Sequence, residues 1–205
     1  MHNQNTVNRQ TSLKTRTLVM MAILSTISFI LMYIEMPIPG IFPDFLKIDI
    51  SDIPAILGGM SFSPIVGVGI VVVKNIVHAI TATTTGGVGE IANALIGGVY
   101  VFVICYIYKK STDIKGVIAG IILGTLAMTV VGAVVNYFIT LPFYGQLMGL
   151  DAIINLGSVI NHRITDLFSF VMWMIVPFNI LKGTLLSICS VVLFKKMGHI
   201  INNKY

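Results

Sequence analysis

Six apolar segments, separated by short polar stretches, make up most of this 205-residue chain. A helix needs about 20 apolar residues to cross the roughly 30 Å hydrocarbon core of a bilayer, and all but the second segment approach or exceed that length. The segments cover residues 17–36, 53–62, 64–83, 88–108, 116–141 and 167–194. Because 56% of the residues are hydrophobic and only 10% are charged, a water-soluble enzyme is excluded. The composition predicts an all-α integral membrane protein, with residues 1–205 as a single membrane domain.

The lysine and arginine residues indicate which side of the membrane each connection occupies. If all six segments cross and the amino terminus is cytoplasmic, nine of the 13 basic residues lie inside, as the positive-inside rule expects. These nine are Arg9, Lys14, Arg16, Lys109, Lys110, Lys115, Lys195, Lys196 and Lys204. A second segment that only entered the bilayer and returned would move three of them outside. We therefore predict six transmembrane helices with both termini cytoplasmic and residues 1–16 as a cytoplasmic polar tail.

Two of the predicted outer loops are longer than a simple connection requires. Loop one, residues 37–52, combines prolines, apolar side chains and charges, a composition that favours a lid folded onto the protein. Residues 144–166 form the other outer loop, which is also long enough to cover a cavity. Ser51 or Asp52 is expected to cap the second helix, with Pro54 in its first turn.

Ionisable side chains inside predicted spans are the first candidates for function. A charge in hydrocarbon costs at least about 2.5 kcal/mol, so Lys74, Glu90 and Lys182 each need a partner or water. Pro177 loosens the last helix, and Asn179 and Lys182 then share one face of it. Lys182 either pairs with an acid of another span, reaches the interface, or contacts a ligand. The neighbouring amide favours ligand contact.

Four more polar or aromatic positions belong to the candidate site. Asn136 lies in the outer half of the fifth span and can meet Asn179 at a similar depth, although such an amide also serves as an interhelical hydrogen bond. Glu90 and Asn93 share a face at the start of the fourth span, where the helix dipole alone would favour a carboxylate. Tyr137 is either an interfacial anchor or a wall for a planar ligand.

Catalytic and metal-binding patterns are missing from the sequence. No Ser or Cys has an evident His base, and no set of His, Cys, Asp and Glu has metal-ligand spacing, so we predict neither an enzyme nor a metal site. The basic residues are scattered at the ends of spans, which argues against nucleic acid as a partner.

Small residues at helical spacing indicate where helices pack closely. Gly116, Gly120 and Gly124 form such a stripe in the fifth span, and internal packing is favoured over an oligomer contact. Ala22 and Thr26 form a shorter pair in the first span. Packing within the chain is the simpler interpretation of that pair, whereas an exposed groove would suit a partner membrane protein.

Three sequence elements carry a family resemblance. They are Gly-Val-Gly-Glu-x-x-Asn at residues 87–93, Asn136-Tyr137 followed by Pro142 and Tyr144, and Pro-Phe-Asn-Ile-Leu-Lys-Gly at residues 177–183. Together with six helices in so short a chain, they resemble the S components of energy-coupling factor (ECF) vitamin transporters, most closely the riboflavin-specific members. The resemblance covers nearly the whole chain.

The resemblance implies a subunit that captures riboflavin outside the cell as a transported ligand and not as a cofactor. It also implies a prokaryotic plasma membrane and three partners, namely a transmembrane coupling protein and two cytoplasmic ATPase subunits. In the family the first helix presents a small-residue pair to the coupling protein, and Ala22 and Thr26 occupy the corresponding positions. The candidate ligand-binding residues are Asn136, Asn179, Lys182, Glu90, Asn93, Phe45, Leu46, Lys47 and Tyr137.

Alternative functions remain open at this level. An S component for another small vitamin, such as thiamine or pantothenate, would use the same fold. An intramembrane enzyme is less favoured because it needs a nucleophile and a base, or metal ligands, at matched depth.

Overall fold

The computed structural model describes the backbone of residues 2–202 and the side chains of residues 14–193. Two single π-turns, Asn136–Thr140 and Val171–Ile175, each continue one helix into the next without a break. Strands β1 (Met36–Pro37) and β2 (Lys47–Ile48) pair antiparallel within loop one. The helices are α1 (His2–Met32), α2 (Ile53–Ser61), α3 (Pro64–Thr81), α4 (Val88–Lys110), α5 (Ile114–Val135), α6 (Leu141–Met148), α7 (Leu150–Ile160), α8 (Leu167–Phe170) and α9 (Val176–Asn202).

Each predicted apolar segment forms a helix, and five continuous helical stretches of the described chain are long and apolar enough to cross a membrane. The prediction of an all-α membrane protein is therefore confirmed. The side chains of Arg9, Lys195, Lys196 and Lys204, which contributed to the charge count, lie outside the described residues.

The direction of α1 relative to α3 decides the number of crossings. Tyr33 directly follows α1, and its hydroxyl lies 3.3 Å from Oγ1 of Thr81, the last residue of α3. Because the two helices end side by side, they run in the same direction. The residues that connect them, 33–63, must therefore return across the bundle. Loop one and α2 therefore form one crossing, and the six-span prediction is confirmed.

Helix α2 is short because it begins at mid-depth in the bundle. Asp52 directly precedes α2, and its Oδ1 lies 2.5 Å from Nζ of Lys74, a residue in the middle of α3. Nine helical residues then extend only about 14 Å. The prediction that Ser51 or Asp52 caps α2 is wrong for Asp52, whose side chain makes no capping bond because it pairs with Lys74 instead. Pro54 does lie in the first turn.

The glycine stripe of α5 packs against α4, as predicted. A methyl group on Gly120 would lie 3.0 Å from the carbonyl oxygen of Ile104, and one on Gly124 would lie 3.3 Å from that of Tyr100. The Tyr100 hydroxyl, fully buried, donates to the carbonyl oxygen of Gly183 at 3.1 Å. Helix α4 thus packs between α3 and α5, and Tyr100 connects it to α9.

Residues 144–166, predicted as an outer loop, are mostly helical. α6 continues to Met148, Gly149 reverses the chain with a φ of 86°, and α7 follows directly. α7 buries Ile153 and Gly157, which are four residues apart on one face. The loop prediction overlooked this helical spacing because the segment is shorter than a membrane span.

The Ala22 and Thr26 pair of the first helix does not pack inside the protein. Ala22 and Thr26 are both exposed, and the Thr26 hydroxyl bonds only to the Ala22 carbonyl oxygen, at 3.0 Å. Leu18, Val19 and Ile23 on the same helix are exposed as well. The interpretation that this pair packs within the chain is therefore wrong.

Replacing Gly67 with Ala tests the close contact of α2 with α3. A methyl group there would lie 2.9 Å from the Ala55 carbonyl oxygen and 3.0 Å from Cα of Gly59, so backbone would have to move. We expect Gly67→Ala to lower the free energy of unfolding by about 1–3 kcal/mol, measured in detergent. Gly98→Ala is the control, because its methyl group would lie 3.8 Å from Val68 and make ordinary contact. Equal stability of the two variants would contradict this packing.

Candidate ligand-binding site

A cavity of about 480 Å³ lies in the half of the bundle where α1 and α3 end. This volume falls within the range of roughly 300–1,000 Å³ typical of small-molecule sites. Its walls come from loop one, the turn between α3 and α4, and the facing sides of α4, α5 and α9. Most of the lining surface is apolar, although about half of the lining residues have polar or charged side chains.

Two amides line the cavity, one from each of the two helical stretches that contain a π-turn. Nδ2 of Asn136 donates to the carbonyl oxygen of Gly132, and Nδ2 of Asn179 to that of Ile175, each at 2.8 Å. An amide has two donors and one acceptor group, so each keeps Oδ1 and a second N–H for other partners. Gly132 leaves room for this arrangement, because a methyl group on it would lie 2.8 Å from Nδ2 of Asn179.

Both π-turns end two residues before a proline. Thr140 precedes Pro142, and Ile175 precedes Pro177, by this spacing. Proline has no N–H to continue the i→i−4 ladder, and a wider turn with i→i−5 bonds accommodates it. Asn136 is the first residue of one π-turn, so this distortion helps to set the direction of its side chain.

Lys182 forms a buried ion pair with loop one. Its Nζ lies 2.8 Å from Oδ2 of Asp49 and 3.5 Å from Oδ1 of Asn93. An acid partner was one of the alternatives that the sequence left open for Lys182, and the structure provides it from loop one. Lys182 also lines the cavity.

Glu90 forms a second polar wall at the start of α4. Its Oε1 lies 2.9 Å from Nδ1 of His78, while Oε2 accepts hydroxyl hydrogen bonds from Thr83 at 3.1 Å and Thr85 at 2.8 Å. Gly86 and Gly87, with φ of 63° and 89°, form the tight turn that brings these threonines back to the carboxylate.

Loop one covers the cavity from the outer side. Phe45, Leu46 and Lys47 all line it, and Lys47 pairs with Glu35, just beyond α1. The ring of Phe45 lies edge-on to that of Tyr144, with the centroids 5.7 Å apart. The loop thus makes contact with both sides of the cavity mouth.

Eight of the nine predicted site residues line this cavity, and Tyr137 does not. The Tyr137 ring lies edge-on to Phe138 at 4.9 Å and packs in the apolar cluster around Phe170. Sequence analysis did not select Asp49, although a buried lysine requires a counter-ion and loop one holds several acids. The other lining residues that it did not select are Met32, Glu35, Asp44, His78, Thr84, Thr85, Gly89, Ala92, Ile96, Met128, Thr140, Tyr144, Met148, Leu156 and Phe178.

Comparison with known proteins gives consistent results. The family model for the substrate-specific component of ECF transporters matches residues 16–194. Riboflavin transporter FmnP of Bacillus subtilis (strain 168) is 32% identical over 187 residues, which cover 90% of this chain and 93% of that protein. Riboflavin transporter RibU of Staphylococcus aureus (strain TCH60) is 32% identical over 186 residues, covering 91% and 92% respectively.

A solved structure of the S component of a bacterial ECF transporter has the same fold. It superposes with a TM-score of 0.72 at 30% sequence identity, and the match covers 92% of this chain and 98% of that one. The chain therefore belongs to the family of ECF transporter substrate-specific components, the S components, and is a multi-pass cell-membrane protein.

Proposed function

We propose that this chain is the riboflavin-binding, substrate-capture subunit of an ATP-driven vitamin uptake transporter of the ECF type. The observation that carries the proposal is that Asn136, Asn179 and Lys182 line one buried cavity beneath loop one. The riboflavin transporters of B. subtilis and S. aureus, similar over nine-tenths of this chain, support the choice of ligand.

The chemistry of the cavity suits a flavin. Riboflavin has a flat ring system whose edge carries carbonyl and ring-nitrogen acceptors and one N–H donor. The amides of Asn136 and Asn179 offer both donors and acceptors, and the Lys182 ammonium offers only donors. Leu46 and Phe178 supply apolar surface for the ring faces.

The polar wall at the start of α4 suits the hydroxyl-bearing ribityl chain. Glu90 is an acceptor there, Thr85 provides both a donor and an acceptor, and Asn93 lies between this wall and Lys182. Loop one would close over the bound molecule through Phe45 and Lys47. Excluding water in this way strengthens binding and slows release.

Uptake would require an energising module that this subunit does not provide. We propose a transmembrane coupling protein and two cytoplasmic ATPase subunits as partners, with the exposed Ala22 and Thr26 face of α1 as the contact with the coupling protein. Small residues let another helix approach closely. The subunit itself binds and delivers the vitamin and carries out no chemical reaction.

The proposed ligand can be tested on the purified protein. Protein made in a riboflavin-containing host should be yellow in detergent, and after the flavin is stripped it should quench riboflavin fluorescence at one molecule per chain. A colourless protein that ignores riboflavin and binds thiamine or pantothenate would instead establish the S component of another vitamin.

Substitution of the cavity side chains tests the site. We expect riboflavin to bind about tenfold more weakly to Asn179→Ala and about 100-fold more weakly to Lys182→Gln, since loss of a hydrogen bond from a charged donor costs more. Asn155→Ala and Lys115→Gln, both at exposed positions, are matched controls that should keep full affinity. Unchanged affinity in the two cavity variants would refute the site.

The partner surface can be separated from the ligand site. Ala22→Trp should prevent copurification with the coupling protein and abolish riboflavin uptake, because the large ring would keep a partner helix from approaching closely, while riboflavin affinity stays unchanged. Ile122→Trp, at an exposed position of α5, is the control and should retain uptake. Normal copurification of Ala22→Trp would show that this face is not the contact.

A further inference from the structure

Lys74 lies outside the cavity and is nevertheless connected to it. Its side chain is fully buried in α3 and is not among the described residues that line the cavity. Besides pairing with Asp52, its Nζ donates a hydrogen bond to Oγ of Ser51. The pair with Asp52 already compensates the buried charge, so the bond to Ser51 needs a separate explanation.

The direction of the Ser51 hydroxyl follows from the chemistry of its neighbours. An ammonium group can only donate, and an ionised carboxylate can only accept. Oγ of Ser51 must therefore accept from Lys74 and donate to Oδ1 of Asp49. The backbone N–H of Ser51 also donates to that oxygen, at 2.9 Å. Lys74 thereby fixes the Asp49 carboxylate, whose other oxygen accepts from Lys182.

A second connection leads from the next residue of α3 to the same lysine. Nδ2 of Asn75 donates to the Val71 carbonyl oxygen at 2.8 Å, which leaves its Oδ1 to accept from Nδ2 of Asn93 at 3.1 Å. Oδ1 of Asn93 in turn lies 3.5 Å from Nζ of Lys182. Two adjacent residues of α3 thus reach Lys182 by separate hydrogen-bonded paths.

We infer that Lys74 and Ser51 are positioning residues of the ligand site, which hold Asp49 and through it the Lys182 ammonium where the ligand binds. An ammonium group has three donors. Asp49 and Asn93 engage two of them, and the third is left for a ligand in the cavity. This inference rests on the proposed function, because it requires that the ligand contacts Lys182.

Ser51→Ala tests the inference with little disturbance. The substitution removes one hydroxyl, keeps the Lys74–Asp52 pair, and adds no atoms. We expect riboflavin to bind about tenfold more weakly, because a hydrogen bond between the hydroxyl and a charged group is lost. Ser28→Ala is the matched control, since Ser28 is also buried and its hydroxyl has no hydrogen-bond partner among the described residues. The melting temperatures of the two variants in detergent should agree.

A double-mutant cycle separates positioning from a general structural effect. In an Asp49→Asn background the path from Ser51 is already interrupted, so adding Ser51→Ala should change riboflavin affinity by less than twofold. The combined variant Lys74→Met/Asp52→Asn, which leaves no unpaired charge buried, should bind as weakly as Ser51→Ala.

Each result has a defined meaning. Full affinity in Ser51→Ala, or the same loss with and without Asp49→Asn, would overturn the positioning role. Failure of the unmodified protein to bind riboflavin would instead overturn the proposed ligand. The loss in Ser51→Ala together with its disappearance in the Asp49→Asn background would establish the role.

Discussion

Charges buried within a bilayer must be compensated where they lie, and in this protein that requirement shapes loop one. Lys74 and Lys182 project from α3 and α9, and their counter-ions, Asp52 and Asp49, both belong to the end of loop one. The pairing brings four charges together with no net charge, which lowers the cost of burying each. It also draws the loop to mid-depth, so that α2 has only half a membrane left to cross.

The cavity is a consequence of that inward course of the chain. A full-length second helix would fill the space that loop one only covers. Helices α5 and α9 complete the site, and a proline near each amide allows a π-turn in place of regular helix. The site thus combines rigid helical walls with a cover that is held mainly by charges and aromatic contacts.

Sequence reasoning predicted the helices well because hydrocarbon imposes a simple rule on length and polarity. It also selected Asn136, Asn179 and Lys182, since a polar group in a span requires an explanation. It failed where the role of a side chain depended on a partner that is distant in sequence. Asp52 satisfies the usual pattern of a helix cap, and only the position of Lys74 shows that its carboxylate is used elsewhere.

Helix rotation was the other quantity that the sequence did not determine. Tyr137 follows Asn136 directly within one π-turn, and the two side chains point to different surroundings, one to the cavity and one to the apolar core. Ala22 and Thr26 have a spacing typical of packed helices, yet nothing within the described chain covers them.

Gly132 approaches Asn179 so closely that the residues at these two positions, which are far apart in the chain, constrain each other. A side chain at 132 would occupy the volume of the amide, so a related protein that has lost glycine there must have a smaller or differently placed residue at 179. The two positions should therefore vary together across relatives. Such covariation would separate chains that kept this ligand from chains that changed to another.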